Sequence, residues 1–494
     1  MGAVTMLWPQ LPFDPQETLI SYADRLSIFH TSRGMERLLR DNGIHHEHFV
    51  SGRAEAVEKF VEVIGETFGT YMDNAIRVLR RRGEFRGEPI SKAFLSPRAA
   101  RYCPCCLAED GAPEDWRFRL MWGFRHVQRC EKHGVWLEPT GRASATNLRV
   151  AMSDMPLADP KAAVGPVPTY LEWLRARVHG QVVDETPWLA DQTLEHVLAA
   201  AEMIGAVLQH GHKVKLTKRS PAEIEEATDI GFSIYSEGPE AVEEALDTIR
   251  QTSPATAVQA GPLAHYGKLF DWLDRRCNAI DPGPIRDLLR DHIVKHSAVE
   301  PGTSILGVEI TERRFHTLNS LSETVGVERK RLARLLKSMG EIPADVTEVE
   351  CGNLVFEAKE TVPLVEAFQS AIPMRDVPDY LVATKHQFEA LYRSGILQPL
   401  VPRTGRGSNR HVVFAQTHLD EILGWIANLP EIGGSDLQDV HSISYACQRG
   451  AGRFENLFAD IFKGKTAAFR NPDRKGVGSI YVAVKPLIAE RFAA

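Results

Sequence analysis

Four potential metal donors, spaced as two short pairs, constrain this chain more than any other feature. The pattern is Cys103-x2-Cys106, then 23 residues, then Cys130-x2-His133. Each short pair forms a knuckle that turns two donors toward one point. Two knuckles bring four donors to about 2.0–2.3 Å from a single ion, the requirement of a tetrahedral zinc site. Pro104 and Gly134 suit the tight turns, and Trp116, Trp122 and Trp136 flank the pairs. Residues 101–139 are otherwise rich in His, Trp and Arg and poor in aliphatic side chains, as in a module stapled by a metal. The spacing selects Cys103 and Cys106 and leaves Cys105 as a spare thiol beside them. With four protein ligands there is no position left for water or substrate, so the pattern predicts one structural Zn2+ and not zinc hydrolysis. The competing explanation is a buried cysteine cluster without metal. A thioredoxin-like redox pair is disfavoured, because no βαβ pattern flanks the motif.

The chain holds seven cysteines in 494 residues, too few and too odd a number for a disulfide scaffold. Cys277, Cys351 and Cys447 read as buried structural thiols of a reduced, intracellular protein. Hydrophobic residues make up 43% and charged residues 25%, an ordinary globular balance for about three domains of ~150 residues each. The net charge of -7, from 58 basic and 65 acidic residues, excludes a uniformly basic nucleic-acid sleeve and leaves local basic patches open. No apolar run is long enough to span a membrane, and the N-terminus lacks a secretory n-region and h-region. Met6 breaks the myristoylation pattern. The expectation is a cytoplasmic protein.

The hydrophobic periodicity predicts a mainly α, multi-domain helical protein. It carries helix-turn-helix modules, one small zinc-binding module and short winged β-hairpins near the C-terminus. The expected segments are 1–100, 101–140, 141–260, 261–345, 374–430 and 438–494. Residues 14–98 read as helical, with Leu19, Tyr22, Leu26 and Phe29 at helical spacing and Asp14, Pro15 and Glu17 as a capping arrangement. The nearby run of His45, His46 and His48 reads as surface. The proline-rich stretch 140–166 reads as a linker, as does 253–262. Over 221–250 nine acidic residues face one arginine, a charge of -8. This is a solvated helix face or a docking face for a basic partner, and it repels phosphates either way.

Three helix-turn-helix candidates occupy the last 180 residues. In 316–340, Leu318, Leu321 and Val325 form one inner stripe, Gly326 turns the chain, and Leu332, Leu335 and Leu336 form the second stripe. The free face carries Arg329, Lys330, Arg331, Arg334 and Lys337, and 311–340 has seven basic residues against three acidic. The second candidate, 377–426, adds a basic wing with Arg403, Arg406 and Arg410 suited to phosphates or a minor groove. It looks like the winged helices of small excisionases and metal-sensing regulators. In the third, 442–484, the core positions Ala446, Phe454, Leu457 and Ile461 are followed by Lys463, Lys465, Arg470, Arg474 and Lys475. A further basic stretch, 73–101, includes Arg80, Arg81 and Arg82 just before the zinc pattern. An ordinary helical hairpin or a solubilising face is the plainer alternative for each.

The opening LPFDPQETLISYADRL, the helices ending in arginines, and RYCPCCLAED followed by two tryptophans and CEKHGVWL together resemble the TniQ family of transposition proteins, relatives of the TnsD target selectors. Weaker similarity continues through TYLEWLRARV, EATDIGFSIYSEG and HYGKLFDWL to about residue 280. The resemblance implies a non-catalytic adaptor that binds double-stranded DNA or a DNA-bound targeting complex. It also implies recruitment of an AAA+ transposition regulator that directs a transposase complex, and a zinc-ligand pattern falling on Cys103, Cys106, Cys130 and His133. A homodimer is compatible with this. The alternatives are a transcriptional regulator built from the same modules, or an enzyme such as a nuclease. For the enzyme there is no Walker A pattern, dinucleotide fingerprint or GxSxG in support.

Overall fold

The computed structural model describes residues 7–65, 68–79, 82–95, 101–140, 149, 152, 156–181, 186–255, 260–275, 280–351, 354–401, 412–433 and 439–493. The fold is mainly helical, with only small antiparallel sheets. Among the described residues no helix is long and apolar enough to cross a membrane. The chain divides into two compact units, one over residues 1–296 and 302–311, the other over 297–301 and 312–494.

In the first unit, the helix Leu19–Thr31 begins one residue after Thr18 rather than at Asp14. Thr18 is its cap, and its hydroxyl accepts from Ser21 N. Glu17 is withdrawn from capping because its carboxylate is fully buried against Arg25 Nη2 at 2.8 Å and also accepts from Ser21 Oγ at 2.7 Å. A buried charge needs such a partner, and that need outranks the cap. Tyr22 and Leu26 pack with Leu39, Phe60 and Ile64 from the helices Met35–Asp41 and Ala54–Ile64.

The helical reading fails over 77–91, where three antiparallel strands run Arg77–Val78, Arg82–Phe85 and Glu88–Ser91. Arg86 and Gly87 both have positive φ, 49° and 81°, which makes the tight primed turn that joins two twisted strands. Phe85 and Ile90 then face the interior.

Residues 161–166 are more than a linker. Val135 bridges to Ala162, Trp136 N donates to Lys161 O, and Ala163 N donates to Gly134 O at 2.7 Å. The Arg129 guanidinium donates to the carbonyls of Val164, Gly165 and Pro166. The described backbone over 161–166 is thus satisfied by residues 129–136.

Helices Thr169–Val178, Leu194–His210, Pro221–Glu237, Pro239–Gln251, Pro262–Arg275 and Ile285–His296 build much of the rest of this unit. The second and third of these touch through glycine. A Cβ on Gly205 would stand 1.7 Å from Ala227 O, and one on Gly231 would stand 1.8 Å from Ala201 O. Part of the acidic segment is used internally. Glu225 is buried against Arg129, and Asp229 Oδ1 accepts from Thr169 N and Oγ1 at the start of a neighbouring helix. Glu226, Glu237, Glu240 and Glu244 are exposed.

The second unit repeats one order of elements three times: strand, helix, turn, helix, strand, helix. The first copy runs Phe315–Thr317, Leu318–Val325, Arg329–Met339, Val355–Glu357 and Ala358–Gln369. The second runs Ile372–Pro373, Val377–Tyr380, Lys385–Arg393, Val413–Phe414 and Gln416–Ala427. The third runs Val440–Ser442, Ile443–Gln448, Phe454–Phe462, a hairpin of Ala468–Arg470 with Ile480–Ala483, and Val484–Ala493. In each copy the first strand pairs antiparallel with the strand just before the last helix.

Candidate metal centre and nucleic-acid interface

Cys103 caps the short helix Pro104–Asp110, and Cys106 lies in its first turn. Cys130 ends the strand Arg129–Cys130, and the turn back into Val135–Trp136 carries His133. These two knuckles bring all four donors together, while Cys105 stays outside the group. His133 Nδ1 is 3.4, 3.3 and 3.5 Å from the sulfurs of Cys103, Cys106 and Cys130, and the Cys106 and Cys130 sulfurs are 3.7 Å apart. A tetrahedron with bonds of about 2.3 Å to sulfur and about 2.0–2.1 Å to nitrogen has edges of about 3.8 Å (S to S) and about 3.5 Å (S to N). The spacing therefore fits one ion at the centre, and it does not fit a disulfide.

The surroundings favour the same chemistry. All three sulfurs belong to buried residues, and no disulfide joins them. Hydrogen-bonding neighbours Cys103 and Cys130 push the Cys106 thiol far up, while Cys103 and Cys106 push Cys130 down. Three crowded sulfurs can all become thiolates only if a cation offsets their repulsion. His133 turns Nδ1 to the sulfurs and Nε2 to Glu109 Oε1 at 3.0 Å. A carboxylate on the outer nitrogen fixes the ring and raises its basicity as a ligand. Glu109 lies three residues after Cys106 on one helix, so it falls on the same face. Sequence reasoning missed it, although that spacing was the available signal.

The basic positions have different fates. Arg329, Lys330, Arg331 and Arg334 are all exposed on the helix Arg329–Met339. Glu328 caps that helix, accepting from Lys330 N and Arg331 N, and these bonds lower its pKa. Lys337 departs from the outward face: its ammonium donates to the Val346 carbonyl and is half-buried. Arg82 is exposed on its strand. Its described neighbours are partly drawn into ion pairs and the interior. Arg77 pairs with Glu84 at 3.0 Å, Arg86 with Asp73 at 3.4 Å, and Arg101 is buried with its guanidinium on the Phe124 carbonyl. Burial lowers the Arg101 pKa to about 10. Arg80, Arg81, Arg403, Arg406 and Arg410 lie outside the described residues.

No curated protein matches the chain. The TniQ family model matches residues 9–137, a span that includes the Leu19–Thr31 helix, the three-stranded sheet and all four clustered donors. By that match, residues 9–137 of this chain are similar to the TniQ domain.

Proposed function

We propose that this chain is a non-catalytic adaptor of DNA transposition. In this reading it binds double-stranded DNA through the second helix of its first helix-turn-helix and recruits an AAA+ transposition regulator, which in turn directs a transposase complex. The TniQ domain supports the transposition setting. Zn2+ held by Cys103, Cys106, Cys130 and His133 would stiffen the N-terminal domain and contribute no bond chemistry.

The observation that carries the DNA contact is a set of four exposed cations, Arg329, Lys330, Arg331 and Arg334, on one helix of a chain whose net charge is -7. Such a face gives salt-dependent phosphate binding, and side chains at the helix start can reach base edges. The exposed glutamates at 226, 237, 240 and 244 repel phosphate and are left for a protein partner.

The test is duplex binding by anisotropy over a salt series, with Arg329, Lys330 and Arg334 replaced together by alanine. The slope of log affinity against log salt becomes shallower by about 0.9 for each phosphate the variant no longer neutralises. An unchanged slope removes this helix from the DNA. In parallel, an AAA+ ATPase is expected to co-purify with the chain from its native host. Autonomous binding to a palindrome with no ATPase bound supports the transcriptional regulator instead.

A further inference from the structure

A second cluster of metal-ligating side chains lies outside the TniQ-matched segment, within the same compact unit. His292 and His296 stand four residues apart on the helix Ile285–His296, so they share one face. That face packs on the helix Pro239–Gln251, which presents Asp247. Asp247 Oδ1 is 3.2 Å from His292 Nε2 and 3.5 Å from His296 Nε2. The two imidazoles lie with centroids 4.5 Å apart, and the candidate ligand atoms fall within 4.8 Å of one another. His296 Nε2 is buried and makes no hydrogen bond, although Asp247 is close.

The support for these donors resembles that of a ligand set. His292 Nδ1 faces the hydroxyl of Tyr266 at 2.7 Å, and Tyr266 is fully buried. An outer partner of this kind fixes the ring and turns Nε2 toward Asp247. His292 is itself buried, which disfavours a charged imidazole there. The charged groups that face the cluster are Arg250, Glu243 and Lys295. Lys295 is paired with Glu243 at 3.2 Å, and Arg250 Nε lies 3.9 Å from Asp247 Oδ1. Arg250 is thus the cation in competition for the Asp247 carboxylate.

We propose that Asp247, His292 and His296 form a second divalent transition-metal site, of two imidazoles and one carboxylate. Bonds of about 2.0–2.2 Å to nitrogen and oxygen give ligand edges of about 3.4 Å, close to the two Asp247 separations of 3.2 and 3.5 Å. The site differs in kind from the four-ligand knuckle pair. It has three protein ligands, and the Asp247 and His296 side chains are partly exposed, which leaves a coordination position open to water. A bound ion would pin the helix Pro239–Gln251 to the helix Ile285–His296 and draw Asp247 away from Arg250. Zn2+, Co2+ and Ni2+ suit this donor set.

The test uses the full-length protein dialysed against excess Zn2+ and then against metal-free buffer, with metal counted per chain. The wild type is expected to hold two equivalents. His296→Ala and Asp247→Asn are expected to hold one, with at least a tenfold loss of affinity for the second. The equivalent that remains reports that each variant is folded, since it occupies the separate cysteine site. Cobalt loading separates the sites by colour: the Cys-bound ion carries thiolate-to-metal charge transfer, and the second adds d–d bands without it. Loss of those added bands alone in His296→Ala supports the site. A wild type that saturates at one equivalent overturns the proposal, as does a second equivalent retained by both variants, which marks an adventitious ion only.

Discussion

In the module over 315–369, Leu321, Leu332 and Leu336 close a core that draws on no described residue of the modules after it. By contrast, Leu381, Phe388 and Leu391 of the second module and Ala446, Phe458 and Ile480 of the third line a single core. The fused pair is locked at close range. Val477 N of the third module donates to Leu381 O at 3.0 Å, and Gln387 Nε2 of the second donates to Ser444 Oγ at 2.9 Å. Their second helices, Lys385–Arg393 and Phe454–Phe462, pack against each other. The surfaces diverge to match. The first module's second helix shows four exposed cations, whereas Phe454–Phe462 carries none and includes Glu455 and Asp460. One order of elements thus gives a free basic helix in one place and an internal dimer-like body in another. The order of elements alone does not set the surface; the residues left outside do.

If that distinction is right, core truncations must spread differently. Leu332→Ala costs about 2–5 kcal/mol, and Phe458→Ala about 3–5 kcal/mol, because both side chains are fully buried. Hydrogen exchange followed by mass spectrometry is expected to rise only within 315–369 for the first variant. For the second it rises across both 372–427 and 440–493. Exchange confined to the third module would break the claim of a shared core.

Gly476 is the tightest point of the lock. Its φ is +56°, and an added Cβ would stand 2.1 Å from Leu381 O. Backbone cannot retreat as a flexible side chain can, so Gly476→Ala is expected to cost about 2 kcal/mol or more, from left-handed strain together with overpacking. Chemical denaturation of the full chain measures this. A neutral result would show that the two modules separate freely at this seam.

What could be read in advance follows from how local each interaction is. The leucine stripe and turn glycine of 316–340 are visible because helical packing repeats every three or four residues. The convergence of Cys103, Cys106, Cys130 and His133 is visible because a knuckle is a local object. The strands at 77–91 were hidden by arginines that dilute the alternation, though Arg86-Gly87 marked their turn. The strap at 161–166 and the Arg129–Glu225 pair were not legible at all. Arg129 alone reaches partners 35 to 96 residues away, and no local pattern announces them. For the same reason three similar modules could be seen in the sequence, but the fusion of two of them could not.

Charge removal sharpens the comparison on the functional side. Replacing Arg329, Lys330 and Arg334 with alanine is expected to weaken duplex binding on the order of tenfold or more near physiological salt. The same count of cations removed from the third module, at Lys463, Lys465 and Arg474, should change it by less than half as much on a logarithmic scale. These three are exposed but lie on loops around the fused body, not along one helix face. Equal losses from the two triple variants would mean that DNA lies across the whole unit, and the contrast between modules would fall.

The smallest effect concerns the turns. The first module turns on Gly326 with φ of +66°, whereas the second turns on Val382 with φ of +50°. A β-branched residue in that region is strained by about 1–2 kcal/mol, a cost glycine does not bear. Glycine also leaves the unfolded chain freer, which takes back about 0.4–1 kcal/mol. Val382 is 52% exposed, so its truncation returns little apolar surface to water. Val382→Gly is therefore expected to stabilise the second unit by about 0.5 kcal/mol, seen as a small rise in its melting temperature. Gly326→Val is expected to move the first module the other way. A fall in both would show that packing beside Gly476 offsets the strained backbone of Val382, which makes the turn part of the lock between modules and not merely a connection within one.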